Sequence, residues 1–148
     1  MRDAIISDTS CIILLDKIDE LVLLRKLYDT VITTPEVQSE FGKKLPGWFS
    51  VKSPADKKYQ KVLESTLDKG EASSIALAIE IKNSLLIIDD LKGRKFAEQL
   101  GIQVTGTLGV IVESKLAGHL KPLLKKIKTT DFRLTEELEK RALMRAGE

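Results

Sequence analysis

The chain has 148 residues, 43% of them hydrophobic and 31% charged, with a formal net charge of +2. That is the composition of a folded globular domain large enough to bury a core, and no apolar run nears the roughly 20 residues that span a bilayer. The single cysteine excludes an internal disulfide framework and argues against a structural zinc site, and so small a net charge does not by itself mark a nucleic-acid binder.

The N-terminus enters a strand directly, without the layout of a signal peptide, so a cytoplasmic protein of one domain, residues 1–148, is expected. Ala4-Ile5-Ile6-Ser7 is a short apolar run that ends at Asp8 and reads as the first strand. Asp8-Thr9-Ser10 offers N-cap chemistry to an apolar helix over residues 11–15, so Asp8 reads equally well as a helix cap. Residues 19–28 carry leucines at helical spacing. Thr30-Val31-Ile32-Thr33-Thr34 is β-branched throughout and predicts the second strand. Pro35 suits the first position of a helix over residues 35–43, which puts Glu36 and Glu40 on one face. Residues 45–54 form a connection with Trp48 and Phe49 as its apolar anchor and room for a short strand at 49–52. A charged helix over residues 56–68 is expected to break at Gly70, and Glu71 opens a helix of small and apolar residues.

Leu85 to Ile88 is fully apolar and reads as a strand buried on both faces of a parallel sheet. It stops at Asp89 and Asp90, and residues 92–100 then have helical spacing up to Gly101. Residues 102–106 predict a further strand, and Thr107 is placed to cap a helix over residues 108–116. A basic helix over residues 120–127 and an amphipathic one over residues 135–145 close the chain. Lysines 115, 121, 125, 126 and 128 make the stretch 114–130 basic, and the only histidine, His119, reads as a helix-terminal residue rather than a catalytic base. Strands alternating with helices predict an α/β layered domain with a mainly parallel sheet.

Asp8, Glu40, Glu71, Asp89 and Asp90 all fall near strand ends or helix starts that such a sheet gathers at one edge. Close carboxylates repel, so a cluster of them calls for a proton or a cation. Oxygen-only ligands suit Mg²⁺ or Mn²⁺, which can activate a water and stabilise the leaving oxygen of a phosphodiester. No Walker-type phosphate loop is present.

Taken in order, these motifs resemble a PIN-domain protein of the small prokaryotic VapC-like toxin branch. The resemblance spans nearly the whole chain. It is carried by the opening strand with Asp8-Thr9-Ser10, by Thr34-Pro35-Glu36-Val37 with Glu40, by Gly70-Glu71-Ala72, by Leu86-Ile87-Ile88-Asp89-Asp90 with Gly93-Arg94, by Gly106-Thr107-Leu108-Gly109-Val110, and by Phe132-Arg133-Leu134. It implies a three-layer α/β/α sandwich and a metal-dependent endoribonuclease that hydrolyses RNA. It further implies that Asp8, Glu40, Glu71 and Asp90 are catalytic and hold Mg²⁺ or Mn²⁺, with Asp89 a further ligand or a supporting group. The chain departs from the commoner family pattern in having Glu71 within Gly-Glu-Ala and an Asp89-Asp90 pair. Ser10 could support a ligating carboxylate, and Lys92, Arg94 and Lys95 are candidates for RNA phosphates. A cognate antitoxin protein and a homodimer are implied as partners, with residues 13–27 and Trp48-Phe49 as contact candidates. No residue that reads a base stands out.

Two other readings compete. A PIN fold could serve as a non-catalytic RNA- or protein-binding module, though such a module has no need to tolerate clustered acids. A Mg-dependent phosphoacceptor domain would place its paired acids after the first strand and a lysine after a late one, and neither is found.

Overall fold

The computed structural model describes residues 4–113, 125–127 and 140. In chain order the elements are β1 (Ala4–Ser7), α1 (Thr9–Lys17), α2 (Val22–Leu27), β2 (Val31–Thr33), α3 (Pro35–Phe41), β3 (Phe49–Val51), α4 (Lys57–Leu63), α5 (Lys69–Glu80), β4 (Ser84–Ile87), α6 (Leu91–Gln99), β5 (Gln103–Thr105) and α7 (Thr107–Glu113). The five strands form one sheet in the order β3-β2-β1-β4-β5, and every pairing is parallel. The chain starts in the middle of the sheet, builds outward to β3, then crosses back to lay β4 on the other side of β1.

Side chains alternate along each strand, so the sheet buries two cores. Ile5, Val31, Leu85 and Ile87 face one core with α1, α2 and α7. Ile6, Ile32, Leu86 and Ile88 face the other with Leu63 of α4, the alanines and Ile75 of α5, and Ala97 of α6. The result is the three-layer α/β/α sandwich that the family resemblance implies, with the parallel sheet expected from the alternation. The strands are short but wholly buried in the centre, which is why they read as unbroken apolar runs.

Several boundaries differ from the sequence reading. The short segment at 49–51 is a true edge strand, so the Leu85 run is the fourth strand and not the third. The helix expected over residues 19–28 starts at Val22, because Asp19 takes a left-handed φ of 58° and the Glu20 amide closes back onto the Leu15 carbonyl at 2.8 Å. α4 stops at Leu63 rather than running to Asp68. Gly70 does not break a helix. It sits in the first turn of α5, whose N-cap is Asp68. Thr107 is the first residue of α7 and is itself held by Asp89. The predicted helices over residues 120–127 and 135–145, His119 and the Phe132-Arg133-Leu134 motif fall largely outside the described residues.

Candidate active site

β1 and β4 pair side by side, while the connections from their carboxyl ends leave in different directions, α1 to one face and α6 to the other. Open α/β sheets form a crevice at such a point. Asp8 stands at the end of β1, its amide donating to the Ile87 carbonyl at 3.1 Å. Its side chain caps α1, with Oδ1 accepting from the Thr9 amide at 2.7 Å. Asp8 is buried, 6% exposed. Burial pushes its carboxyl up to about 7; the Thr9 amide opposes this, and the charges of Asp68, Glu40 and Asp89 add to it.

Glu40 comes from the last full turn of α3. Its Oε2 accepts from the Thr9 hydroxyl at 3.2 Å. Its Oε1 lies over Gly70, where a β-carbon would meet it and push the exposed Glu40 carboxylate aside, so the glycine lets that carboxylate lie close to the start of α5. The first turn of α5 is fixed to α3 by a buried hydroxyl chain. Thr34 Oγ1 and Ser73 Oγ lie 2.7 Å apart, and the Ser73 and Ser74 hydroxyls donate to the Gly70 carbonyl at 2.9 and 2.8 Å.

Glu71 is the junction of the cluster. Its amide donates to Asp68 Oδ1 at 2.8 Å. Its carboxyl is pushed up to about 9, first by burial, then by a hydrogen bond with Asp68 and by the charges of Asp68, Asp90 and Asp8. Asp68 is the site acid that sequence reasoning missed. Its signal is present in Asp68-Lys69-Gly70-Glu71, an acid three residues before another at a helix start, but the sequence pattern places it at the tail of the preceding helix.

The two acids after β4 part company. Asp90 is exposed and caps α6, with Oδ2 accepting from the Gly93 amide at 3.0 Å. Asp89 turns to α7. Its Oδ1 accepts from the Thr107 amide at 2.7 Å and its Oδ2 from the Thr107 hydroxyl. The Arg94 guanidinium reaches the same spot: a β-carbon on Gly106 would lie 2.8 Å from Asp89 Oδ1 and 3.1 Å from Arg94 Nη1. Lys92 and Lys95 are exposed on α6. Ser10 is also exposed, and the hydroxyl that meets a site acid is that of Thr9. Lys126, from the basic C-terminal stretch, pairs at 2.7 Å with Glu20, beyond the far end of α1.

The donor set fits a hard divalent cation. All candidate atoms are carboxylate oxygens, and the two most perturbed carboxyls are held up partly by their neighbours' charge, which a cation would relieve. Cys11 offers no alternative, because burial pushes its thiol up to about 12. Asp8, Glu40, Asp68, Asp89 and Asp90 each accept from a local donor, and among the described residues no three His, Cys, Asp or Glu side chains are arranged to hold a metal ion.

No curated protein matches the chain. The model of the DUF3368 family, described as a PIN domain, matches residues 4–148. With the parallel sheet and the acids at its switch point, that match leaves one assignment: this chain belongs to the PIN-domain family.

Proposed function

We propose that the protein is a Mg²⁺- or Mn²⁺-dependent endoribonuclease acting as the toxin of a type II toxin–antitoxin pair. The PIN fold is generally a nuclease fold, which supports nucleic acid as the substrate class. The observation that carries the reading further is Glu71, whose carboxyl is raised to about 9 in part by Asp68, Asp90 and Asp8 together. Four acids from three segments thus meet within electrostatic reach at the end of the sheet.

In this reading Asp8, Glu40, Glu71 and Asp90 hold the ion, and Asp89 supports them. When bound, the ion supplies Lewis acidity to a water and to the phosphodiester oxygens. The rest is done by the chain. Asp8 and Asp90 reach in from adjacent strand ends, while Glu40 and Glu71 reach in from α3 and α5. Asp68 holds Glu71, and Thr9 holds Glu40. Arg94, lodged beside Gly106, is a cation whose fork is already placed, so less entropy is lost when it meets a phosphate. Lys92 and Lys95 extend that positive edge along α6. A single-domain cytoplasmic protein, a homodimer and an antitoxin that covers the acids go with this reading. Ile13 and Val22, exposed on α1 and α2, are apolar contact points for such a partner, while Leu14, Leu15, Leu23 and Leu24 belong to the core.

Cleavage of a mixed RNA panel by the purified protein, with Mg²⁺, Mn²⁺ or chelator, tests it against Asp90→Asn. Metal-dependent cleavage lost in the variant is expected. Folded protein that binds Mn²⁺ but cuts no RNA would favour the binding module instead, and protein that binds no divalent ion would end the metal reading.

A further inference from the structure

Beside the acid cluster, between α3 and the start of α5, lies a cavity of about 360 Å³ lined by Pro35, Glu36, Ser39, Glu40 and Lys69. That is at the small end of the roughly 300–1,000 Å³ typical of small-ligand pockets. Glu40 forms one wall and is also a site acid, so the cavity is continuous with the site. Pro35 gives it a rigid apolar face and Lys69 an exposed ammonium group.

Glu36 is the unusual wall. It is half-buried, and its Oε2 accepts from the side-chain amide of Gln60, which reaches up from α4. Gln60 is buried, 6% exposed, and among the described residues its own Oε1 has no hydrogen-bond partner. Turning the amide over would set that oxygen against the Glu36 carboxylate. The orphaned atom is therefore the consequence of holding Glu36 in place. A carboxylate fixed in this way, with acceptor capacity left, faces a cavity that leads to the metal acids.

We propose that this cavity receives one nucleotide of the substrate strand, next to the bond that is cut, and that Glu36 reads its base. The inference rests on the ribonuclease reading. The base lies against Pro35, Lys69 meets the adjoining phosphate, and Glu36 accepts from an exocyclic amino group, as carboxylates do from cytosine N4. Cytosine, adenine and guanine offer such a group. Uracil has no exocyclic amino group, and the carbonyl oxygens flanking its N3–H set acceptors against the carboxylate, so it is held less tightly.

Fluorescence anisotropy with labelled rC6, rA6 and rU6 tests this on the full chain carrying Asp90→Asn, in Mg²⁺, so that binding is read without cleavage. rC6 and rA6 should bind about tenfold more tightly than rU6, the worth of one hydrogen bond to a charged group. Adding Glu36→Gln should bring the three together, and Gln60→Leu, which frees Glu36 without touching RNA, should do the same. Lys69→Ala should weaken all three alike. Equal binding of the three oligomers would overturn the proposal. So would Glu36→Gln tightening all three equally, since that is the effect of merely removing a negative charge near RNA. Cleavage by the unmodified chain is scored separately. If no RNA is cut while the base preference holds, the ribonuclease reading falls and Glu36 stands only as a base contact of an RNA-binding module. If RNA is cut but rU6 binds as well as the others, the subsite alone falls.

Discussion

Asp8 is asked to be a helix cap and a site acid, and the two demands can be separated. Its folded-state carboxyl sits near 7 against an ordinary 3.8, so the native state holds a proton that the unfolded chain has already released. Such a group supports folding fully below its unfolded value and loses that contribution as pH rises through its folded one. In chelator, stability should therefore fall from about pH 4, with the Asp8 share spent near 7 and the Glu71 share continuing to about 9. Asp8→Asn keeps an oxygen for the Thr9 amide and removes the charge. It should raise the metal-free melting temperature at pH 8 by roughly 2–6 °C, equivalent to about 1–2 kcal/mol, and flatten the decline below pH 7. Thermal melts from pH 4 to 9 check this; a lower melting temperature at every pH would mean that capping outweighs repulsion.

At the scale of elements, the site is a set of helix ends brought together over glycine. Glu40 lies on Gly70 of α5, Glu71 lies near Gly93 of α6, and Asp89 and Arg94 meet beside Gly106 before α7. Gly93 gives the cleanest test. Alanine is normally better than glycine inside a helix by about 1 kcal/mol. Here its β-carbon would lie 2.6 Å from Ile88 Cδ1 and 2.9 Å from Glu71 Oε2. Gly93→Ala should therefore destabilise, by about 1–3 kcal/mol in urea titration; a gain would show that both neighbours yield at little cost. Thr107→Val removes one of the two donors that hold Asp89 and should cost about 1–2 kcal/mol, read the same way. This is also where the sequence stopped being legible. The central strands could be read because they are buried on both faces, and Thr34-Pro35 and Asp8-Thr9 mark helix starts because caps are local chemistry. The tie between Asp89 and Thr107 spans 18 residues, and that between Glu36 and Gln60 spans 24. Neither leaves a mark in spacing. Gly70 reads as a helix breaker because the side chain that lies over it, Glu40, comes from 30 residues earlier.

For the whole molecule, the sheet order brings together acids that lie far apart in sequence, and their shared charge is a property of the assembly. On the proposed metal reading, a divalent ion competes with the protons on Asp8 and Glu71, so binding it near neutral pH should release protons and raise the melting temperature. Titration calorimetry with Mn²⁺ in two buffers of different ionisation enthalpy measures that release. The apparent affinity should increase from pH 6 to 8; an affinity independent of pH would mean that the ion is held by groups other than these two. No helix among the described residues is long and apolar enough to cross a membrane.

The crossing from β3 back to β4 has a consequence for the protein's own synthesis. A chain emerging from the ribosome presents Asp8, Glu40 and Glu71 long before Ser84–Ile87 exists to pair with β1. Until then one side of β1 is an open edge and the crevice has a single wall. Closing it requires contacts about 80 residues apart, the slow kind of step in a parallel sheet. A nascent chain that is half made thus carries most of the acids of the cluster without the strand that completes their crevice.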